Sequence, residues 1–407
     1  MTSGRCALMS DAFRIHDDQR PPMQSRVPFR FLASTLSAAV GRNGYYIASA
    51  WILVEAGYGS SSVATLLAIV SVVELLASPL VGVAADQFDR RRLNIAADLS
   101  RFAIMLAMAC ALLHENVFLT ICFSAVVFAF CDRVALTCSQ AVIPAVARRG
   151  DLVASNSLIF FVMQFGCLAA ALLFGSLLNE HSPALAYIVL AMFFLASAAS
   201  LFSMRPDSSS YSICGARRFA LDIDPGLLRL FAVYALLYGG AVLISVMGSA
   251  FVFEEQKGAA VDFGHVEAAW SAGSLVGAIA LNRLARAISA HMLHLALLGS
   301  TALALMALIL MSAPWTLVVF AALGFFYNLG RVSVEVTLQS RASHRVLGRA
   351  KGTMHSFAVA LGLAIFSVTA ALGDTVSPST IFFGFGVMLV IGVPAIGIGL
   401  ARQKIGS

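Results

Sequence analysis

Charged residues interrupt several long apolar stretches of this sequence. The seven deepest are Arg42, Glu74, Asp132, Arg133, Glu267, Arg331 and Glu335. If the stretches span a membrane, each charge costs about 2.5–3.5 kcal/mol on insertion scales, so it should have a partner or a function. Arginine holds carboxylate or phosphate through two parallel hydrogen bonds, and a carboxylate can bind and release a proton. These residue types therefore indicate binding of a charged solute, proton transfer, or both.

The composition is that of a membrane protein. Of 407 residues, 59% are hydrophobic and only 12% are charged, and the mean hydropathy is +0.87. Soluble proteins contain about 45–50% apolar and about 25% charged residues, and a soluble core stops growing near about 250–300 residues. A transmembrane helix needs about 20 apolar residues. The hydrophobic residues, 59% of 407 or about 240, therefore suffice for about twelve helices.

Twelve apolar runs can be read along the chain, with one long polar interruption at 205–225. The runs cover 29–54, 61–84, 95–113, 117–139, 156–178, 184–204, 226–253, 264–282, 292–312, 314–339, 353–372 and 379–401. We therefore expect an all-α membrane protein with twelve transmembrane helices in two six-helix halves. The expected divisions are a tail at 1–27, a half at 28–204, a linker at 205–225, a half at 226–402 and a tail at 403–407.

Positive charges are distributed unequally between the two sides of these spans. Counted by alternate loops, 22 of the 27 Lys and Arg residues lie on one side, and Lys257 alone lies on the other. Positive residues favour the cytoplasmic side, so both termini and the linker are expected there, in a bacterial cytoplasmic (inner) membrane. The first 27 residues contain no apolar core, so no cleaved signal peptide is expected. The basic residues flank spans and form no continuous surface, which argues against nucleic acid as a partner.

Sequence motifs for enzymatic chemistry are absent. None of the three lysines follows a glycine, as a phosphate-binding loop requires, and neither H-E-x-x-H nor G-x-S-x-G occurs. The seven cysteines include no C-x-x-C pair, which argues against a zinc site or a disulfide framework. We therefore expect no enzyme activity, no cofactor and no metal. Transport would be driven by an ion gradient or by the gradient of the substrate itself.

The loop between the second and third runs carries the most specific motif. It reads Gly82-Val-Ala-Ala-Asp86-Gln-Phe-Asp89-Arg90-Arg91-Arg92 and resembles the G-x-L-A-D-R-x-G-R-R loop of the major facilitator superfamily. Gln87 and Asp89 depart from that pattern, where the family has a basic residue and a glycine. Further residues resemble the drug and siderophore exporter branch of the family, namely Pro79, Asp98, Arg101, Gln140 to Pro144 and Asn156-Ser157.

In that family the loop cluster latches the cytoplasmic side and is broken as the halves rock. The resemblance assigns this role to Gly82, Asp86, Arg90, Arg91, Asp98 and Arg101, with Gly82 allowing close packing and the arginines pairing with Asp86, Asp89 or Asp98. The alternative is that the arginines only anchor the topology. An internal echo supports parallel repeats, because an Arg-Val pair precedes a glutamine in both the fourth and the tenth spans, at Arg133/Gln140 and Arg331/Gln339.

The resemblance implies a central cavity lined by spans one, four, seven and ten, where most of the deep charges fall. In one interpretation, Asp132, Arg133, Arg331 and Glu335 form salt bridges between the halves that close a cytoplasmic gate. In the other, an anionic substrate binds at Arg42, Tyr46, Arg133, Tyr238, Asn328 and Arg331, while Asp132, Glu335 and Glu74 carry protons. Arg331 and Glu335 can pair as i, i+4 neighbours. Glu267, Trp270 and Trp315 are expected toward the outer ends, the two tryptophans as interface anchors.

The expected function is proton-coupled export of a small organic molecule by alternating access between the halves. The arginines favour an anionic, siderophore-like substrate, and multidrug efflux of lipophilic compounds is the first alternative. A non-transporting membrane enzyme or sensor is the alternative from another class. The expected partners are the substrate, protons and membrane lipid, and a monomer is expected. The fifth span lacks the Gly-Pro pattern of many antiporters, which leaves the direction of transport open.

Overall fold

The computed structural model describes residues 28–112, 116–146, 152–204, 225–287, 289–341 and 347–405. These residues form twelve α-helices and no β-strand. The helices are α1 (Phe29–Glu55), α2 (Gly59–Gln87), α3 (Arg90–Ala111), α4 (Val117–Val146), α5 (Leu152–Glu180), α6 (Pro183–Phe202), α7 (Pro225–Ala250), α8 (Ala260–Ala287), α9 (Ala290–Ala307), α10 (Trp315–Arg341), α11 (Leu347–Leu372) and α12 (Pro378–Ile405). A π-helical turn at Phe251–Glu255 extends α7. The expected tail at 1–27 and most of the linker lie outside the described residues.

Each apolar run read from the sequence corresponds to one α-helix, which confirms the expected fold class. Within the described residues, nine helices are long and apolar enough to cross a membrane; α1 and α8 are not among them, and the apolar part of α12, Pro378–Gly392, is shorter. Helix ends differ from the apolar limits because capping sets them. Helix α3 begins at Arg90, since Asp89 Oδ1 accepts hydrogen bonds from the backbone N–H of Arg91 (2.9 Å) and Arg92 (3.3 Å).

The packing of the helices repeats from the first half to the second. In the first half, α1 packs against α5 and α6, α2 packs against α4, and α3 packs against α4 and α6. Helices six places later make the same contacts: α7 with α11 and α12, α8 with α10, and α9 with α10 and α12. The halves meet where α2 packs against α11 and where α5 packs against α8. These two contacts are equivalent, because α8 is the counterpart of α2 and α11 is the counterpart of α5. This is the arrangement of two parallel six-helix repeats.

The halves are tightly joined where α1 connects to α2 and α7 connects to α8, which we call the distal end. There α5 crosses α8 at two glycines. A Cβ on Gly264 would lie 2.6 Å from the carbonyl oxygen of Ala171, and a Cβ on Gly175 would lie 2.6 Å from Gly264 Cα. Trp51 of α1 is fully buried, and its ring stacks on Phe263 of α8 with centroids 5.9 Å apart. The distal end is therefore closed between the halves.

A helix cap supplied by the opposite half also holds the distal end. Helix α2 begins after Tyr58, whose side chain makes no capping hydrogen bond. Asp374, from the α11–α12 connection, instead accepts hydrogen bonds from the backbone N–H of Ser61 (Oδ1, 3.1 Å) and from Ser61 Oγ. A Cβ on Gly59 would collide with this carboxylate, and Gly59 has a φ of +67°. Both the space and the backbone conformation therefore require glycine there.

We expect Gly264→Ala to destabilise the fold, because the added methyl group presses on the carbonyl oxygen of Ala171 in the α5–α8 contact. Overpacking of this kind costs typically about 1–3 kcal/mol. Gly299→Ala in α9 is the matched control, since nothing lies within 4 Å of its new Cβ and alanine favours a helix. Thermal unfolding in detergent should give a lower melting temperature for Gly264→Ala only. Equal melting temperatures would show that the contact relaxes without cost.

We expect Asp374→Ala to loosen the distal end, because α2 loses a cap that only the opposite half supplies. A cap is worth about 1 kcal/mol, or about a fivefold population shift. Cys167 lines the cavity between the halves, so in a variant retaining only this cysteine, an impermeant maleimide should label it about fivefold faster from the distal side. Asp262→Ala is the control, because Asp262 caps its own helix at Ala259 N–H (2.8 Å). Unchanged labelling in Asp374→Ala would contradict the role of this cap.

Candidate functional site

A cavity of about 370 Å³ lies between the two halves, and we call it the central cavity. It is lined by residues of α1, α2, α5, α7, α8, α10 and α11, and no α4 residue is among the described residues of its wall. The expected lining by spans one, four, seven and ten is therefore wrong for the fourth span, because α4 packs against α2 and α3. The volume lies within the range of about 300–1,000 Å³ that is usual for small-molecule sites.

Two carboxylates face the central cavity from opposite halves. Glu74 of α2 and Glu267 of α8 both line it and are half-buried. Within the part of the chain that the structure describes, neither carboxylate makes a side-chain hydrogen bond or an ion pair. The described wall also contains no arginine or lysine. The cavity therefore presents negative charge whenever either glutamate is ionised.

Aromatic rings surround these carboxylates. Trp270 of α8 stacks on Tyr327 of α10, with ring centroids 5.6 Å apart and 28° between the planes, and both residues line the cavity. Tyr46 and Tyr238, two of the residues expected to contact substrate, line it from α1 and α7. The face of an aromatic ring attracts a cation, and a nearby carboxylate neutralises it. The central cavity is thus suited to an organic cation with apolar surface.

Glu267 and Trp270, expected toward the outer end of the eighth span, both lie in the central cavity wall, a position the sequence analysis did not assign to them. Helix α8 begins at Ala260, which places Glu267 about 10 Å along the helix. Cavity-lining residues on α8 follow the spacing i, i+4, i+7 and i+8 of one helical face, at Phe263, Glu267, Trp270 and Ser271. A mixed aromatic and polar face at this spacing is the sequence signal that identifies them.

The deepest buried charges form a cluster within the first half. Arg101 Nη1 donates to Asp132 Oδ1 (2.6 Å), and Arg101 Nη2 donates to Asp98 Oδ1. Asp98 Oδ2 also accepts a hydrogen bond from Ser197 Oγ (2.7 Å), and the guanidinium lies 4.5 Å from the centre of the Phe194 ring. Asp98 and Arg101, which the family resemblance assigns to a cytoplasmic latch, are thus buried and join α3 to α4 and α6.

Arg42 lies at the edge of this buried cluster. Its Nη1 is 3.9 Å from Asp132 Oδ2, and its side chain is 21% exposed. Arg42, Arg101 and Asp132 line a separate pocket of about 60 Å³ in the first half, which we call the N-half pocket. Two arginines and two aspartates meet here, so their formal charges cancel. Asp132 finds its partners within its own half in this conformation, and not across the expected gate.

The other predicted residues of α4 and α10 are absent from the described wall of the central cavity. Asn328 is buried and donates from Nδ2 to a backbone carbonyl of α8 (2.6 Å). Arg331 Nη2 donates to Asn328 Oδ1 (3.4 Å), so the expected i, i+4 pair with Glu335 is not formed between these described residues. The Nε atoms of Arg133 and Arg331 are buried without a hydrogen-bond partner among the residues described.

The loop motif fastens α3 to α6. Arg91 donates from Nε and Nη2 to the last two carbonyl oxygens of α6, at 2.8 and 2.6 Å, a favourable place for a cation at a helix C-terminus. Arg90 Nε donates to a carbonyl near the end of α2 (3.1 Å). The expected pairing with Asp86 falls on a side chain outside the described residues. No described atom lies within 4 Å of a Cβ on Gly82, so close packing at this glycine stays a prediction. Several motif residues named in the sequence analysis have side chains outside the described residues, namely Pro79, Asp86, Pro144, Asn156, Ser157 and Gln339.

Comparison with known proteins identifies relatives over nearly the whole chain. The sequence model of the Major Facilitator Superfamily matches residues 31–367. The multidrug efflux pump Tap of Mycolicibacterium fortuitum is 25% identical over 396 residues, covering 91% of this chain and 95% of Tap.

Solved structures share the fold at lower sequence identity. A variant of the nucleoside transporter NupG superposes with a TM-score of 0.74 at 12% identity, covering 91% of this chain and 100% of NupG. A bacterial homologue of the human lysosomal transporter Spinster, in an inward-facing and occupied conformation, gives a TM-score of 0.70 at 12% identity. It covers 92% of this chain and 96% of its own. These two likenesses concern the fold alone.

We expect Arg101→Ala to destabilise the protein strongly, because it leaves Asp98 and Asp132 buried without their shared cation. Removing one partner of a buried ion pair costs about 3–5 kcal/mol. Arg92→Ala is the control, since the Arg92 side chain is highly exposed and, among the described residues, pairs only with Asp89, at 3.6 Å. Thermal unfolding and the yield of monodisperse protein in detergent measure both. A melting temperature of Arg101→Ala equal to that of Arg92→Ala would show that the cluster contributes nothing to stability.

Proposed function

Because the chain belongs to the major facilitator superfamily, and is therefore a membrane transporter and not an enzyme, we propose that it exports lipophilic organic cations in exchange for protons. One observation carries this proposal. Glu74 and Glu267 face the central cavity from opposite halves, among aromatic rings, and neither forms an ion pair with another described residue. A delocalised cation would satisfy both features, through charge neutralisation and cation–π contact.

This proposal puts lipophilic compounds before the anionic, siderophore-like substrate that the sequence favours. An anionic, siderophore-like substrate requires arginine in the binding site, but Arg42 lines the N-half pocket beside Asp132. Arg331 lies against Asn328 and over the ring of Phe160 of α5, 5.3 Å from its centre. The wall that remains is acidic and aromatic, which favours the multidrug alternative. The name of the relative Tap, a multidrug efflux pump, points the same way.

The direction of transport and the topology belong to the same proposal. The distal end is closed by α5–α8 packing and by the Asp374 cap. The unequal distribution of Lys and Arg supports an orientation with both termini in the cytoplasm and the distal end outside. Substrate would then enter the central cavity from the cytoplasm of a bacterium and leave through the distal end when the halves rock. The transporter would act as a monomer in the cytoplasmic membrane.

Proton coupling would follow from competition at the cavity carboxylates. A glutamate can hold either a proton or the charge of a cationic substrate, but it cannot be neutralised by both. Protons arriving through an open distal end would displace the cation there, and deprotonation on the cytoplasmic side would make the site available again. Glu267 and Glu74 are the residues we assign to this exchange, because both line the central cavity. Asp132 and Glu335, the other expected proton carriers, are absent from its described wall.

The test is a binding series on detergent-purified protein with tetraphenylphosphonium as the cationic probe and citrate as the anionic one. Thermal shift should show stabilisation by tetraphenylphosphonium only. Glu267→Gln and Glu74→Gln should each weaken its binding about tenfold, equivalent to about 1.4 kcal/mol. Binding should also weaken as the pH falls, since protonation neutralises the same carboxylates.

Glu180→Gln is the matched control, because Glu180 is exposed at the end of α5, away from the central cavity. Its affinity for tetraphenylphosphonium should equal that of the unmodified protein. Stabilisation by citrate that is lost in Arg42→Ala would overturn the proposal and restore the anionic, siderophore-like substrate. Unchanged cation binding in both cavity variants would remove the glutamates from the site.

A further inference from the structure

Arg42 has an incomplete contact with Asp132. The 3.9 Å between Arg42 Nη1 and Asp132 Oδ2 is an ion-pair distance but too long for a hydrogen bond. Asp132 is 1% exposed, and its Oδ2 has no hydrogen-bond partner among the described residues. By contrast, Asp132 Oδ1 is held by Arg101 at 2.6 Å. One buried oxygen of this carboxylate is therefore open to a donor, and Arg42 is the second cation within ion-pair distance of Asp132.

Glu74, in the wall of the central cavity, is a second carboxylate on a helix beside Arg42. Its helix α2 packs against α1, and the Glu74 carboxylate has no ion-pair partner in the described part of the chain. The neighbours of Arg42 on α1, Asn43 and Tyr46, line the central cavity, whereas Arg42 itself lines the N-half pocket. A single partly exposed guanidinium thus stands between two carboxylates in two compartments.

We propose that Arg42 is a positioning residue that moves between Asp132 and Glu74 according to the occupancy of the central cavity. This inference rests on the proposed binding of cations at Glu74. When Glu74 is ionised and empty, it attracts Arg42 away from Asp132. When a cationic substrate neutralises Glu74, Arg42 is repelled toward Asp132 and completes the cluster with Arg101 and Asp98.

The movement would change how α1 is attached to the rest of its half. Ser34 of α1 already bonds Ser197 of α6 (2.9 Å), which in turn bonds Asp98. A full Arg42–Asp132 bond would add a second link from α1 to the same cluster, this time to α4. Occupancy of the cavity would thereby tighten α1 against α3, α4 and α6, and an empty cavity would release it.

Other charged and titratable groups act on the same two carboxylates, so the test must separate them from Arg42. Those interacting with Glu74 are Asp132 and Arg133 of α4, Tyr46 of α1 and Tyr238 of α7. His355 of α11 contacts Tyr238, with ring centroids 6.2 Å apart. Those interacting with Asp132 are Asp98 and Arg101 of α3, Tyr46 of α1, Glu74 of α2 and Cys131 of its own helix. Arg133 is the main rival, because its electrostatic interaction with Glu74 is stronger than that of Arg42.

The decisive measurement is a double-mutant cycle on the affinity for tetraphenylphosphonium. Asp132→Asn releases Arg42 to Glu74, so it should weaken cation binding about tenfold although Asp132 is outside the described cavity wall. Arg42→Gln should strengthen binding about twofold alone and about tenfold in the Asp132→Asn background. Arg133→Gln should give the same gain in both backgrounds. Equal gains from Arg42→Gln in both backgrounds would show a fixed charge and overturn the proposal.

Two further arms keep the test decisive if a variant or the probe fails. If Asp132→Asn does not fold, Arg42→Gln is measured in the Glu74→Gln background instead. Arg42→Gln should then give no gain in affinity for tetraphenylphosphonium, and a gain that persists without Glu74 would overturn the proposal. A cycle of melting temperatures without substrate covers failure of the proposed function. Without substrate, the effects of Arg42→Gln and Glu74→Gln on the melting temperature should be non-additive in the unmodified protein and more strongly non-additive with Asp132→Asn. Additivity in both backgrounds would contradict a moving Arg42.

Discussion

An unpaired charge inside an apolar helical bundle is costly, and this cost determines where the charged side chains of the chain can lie. Arg101 meets the constraint by bonding two carboxylates at once, Asp98 and Asp132. The result is a cluster with one unbalanced negative charge that ties α3 to α4 and, through Ser197, to α6. Arg42 balances the remaining charge at the edge of the cluster. The first half is organised around this group of side chains.

The same constraint leaves a site where charges cannot pair. Glu74 and Glu267 lie on helices that meet the opposite half, and within the described cavity wall they find no cation. Each carboxylate is therefore either protonated or available to a positively charged ligand. Structural pairing in the N-half pocket and the proposed ligand binding in the central cavity are two outcomes of one electrostatic requirement, and Arg42 lies between the two sites.

Acidic residues also determine how helices end and how the halves meet. Asp89 caps α3 within its own half, and Glu255 Oε1 accepts a hydrogen bond from the backbone N–H of Ser379 at the start of α12 (2.7 Å). Asp374 differs because it caps α2 from the other half. A negative charge at a helix N-terminus is favoured by the helix dipole, so opening the distal end requires that this interaction be lost and later restored. The closed distal end is thus held by a polar contact as well as by the α5–α8 packing.

Local chemistry was sufficient to predict the helices and the family. A membrane-spanning helix must be apolar over about 20 residues and satisfy its own backbone hydrogen bonds, so run lengths alone predict twelve helices. The loop from Gly82 to Arg92 identifies the superfamily because its residues are contiguous. Helix caps are local as well. Asp89 stands where the family motif has a glycine, and the structure supplies the reason, because Asp89 caps the start of α3.

The partners of the buried charges were decided by the tertiary structure alone. Arg101 and Asp132 are 31 residues apart and on different helices, and their meeting depends on how each helix is rotated about its axis. In the sequence, Arg42, Arg133 and Arg331 suggest an anionic substrate, because nothing local shows that Asp132 approaches Arg42 or that Asn328 approaches Arg331. Glu267 gives the opposite case, since only the packing of α8 against α5 and α10 turns its carboxylate into the cavity. The number of charges is a property of the sequence, but their pairing is a property of the packed bundle.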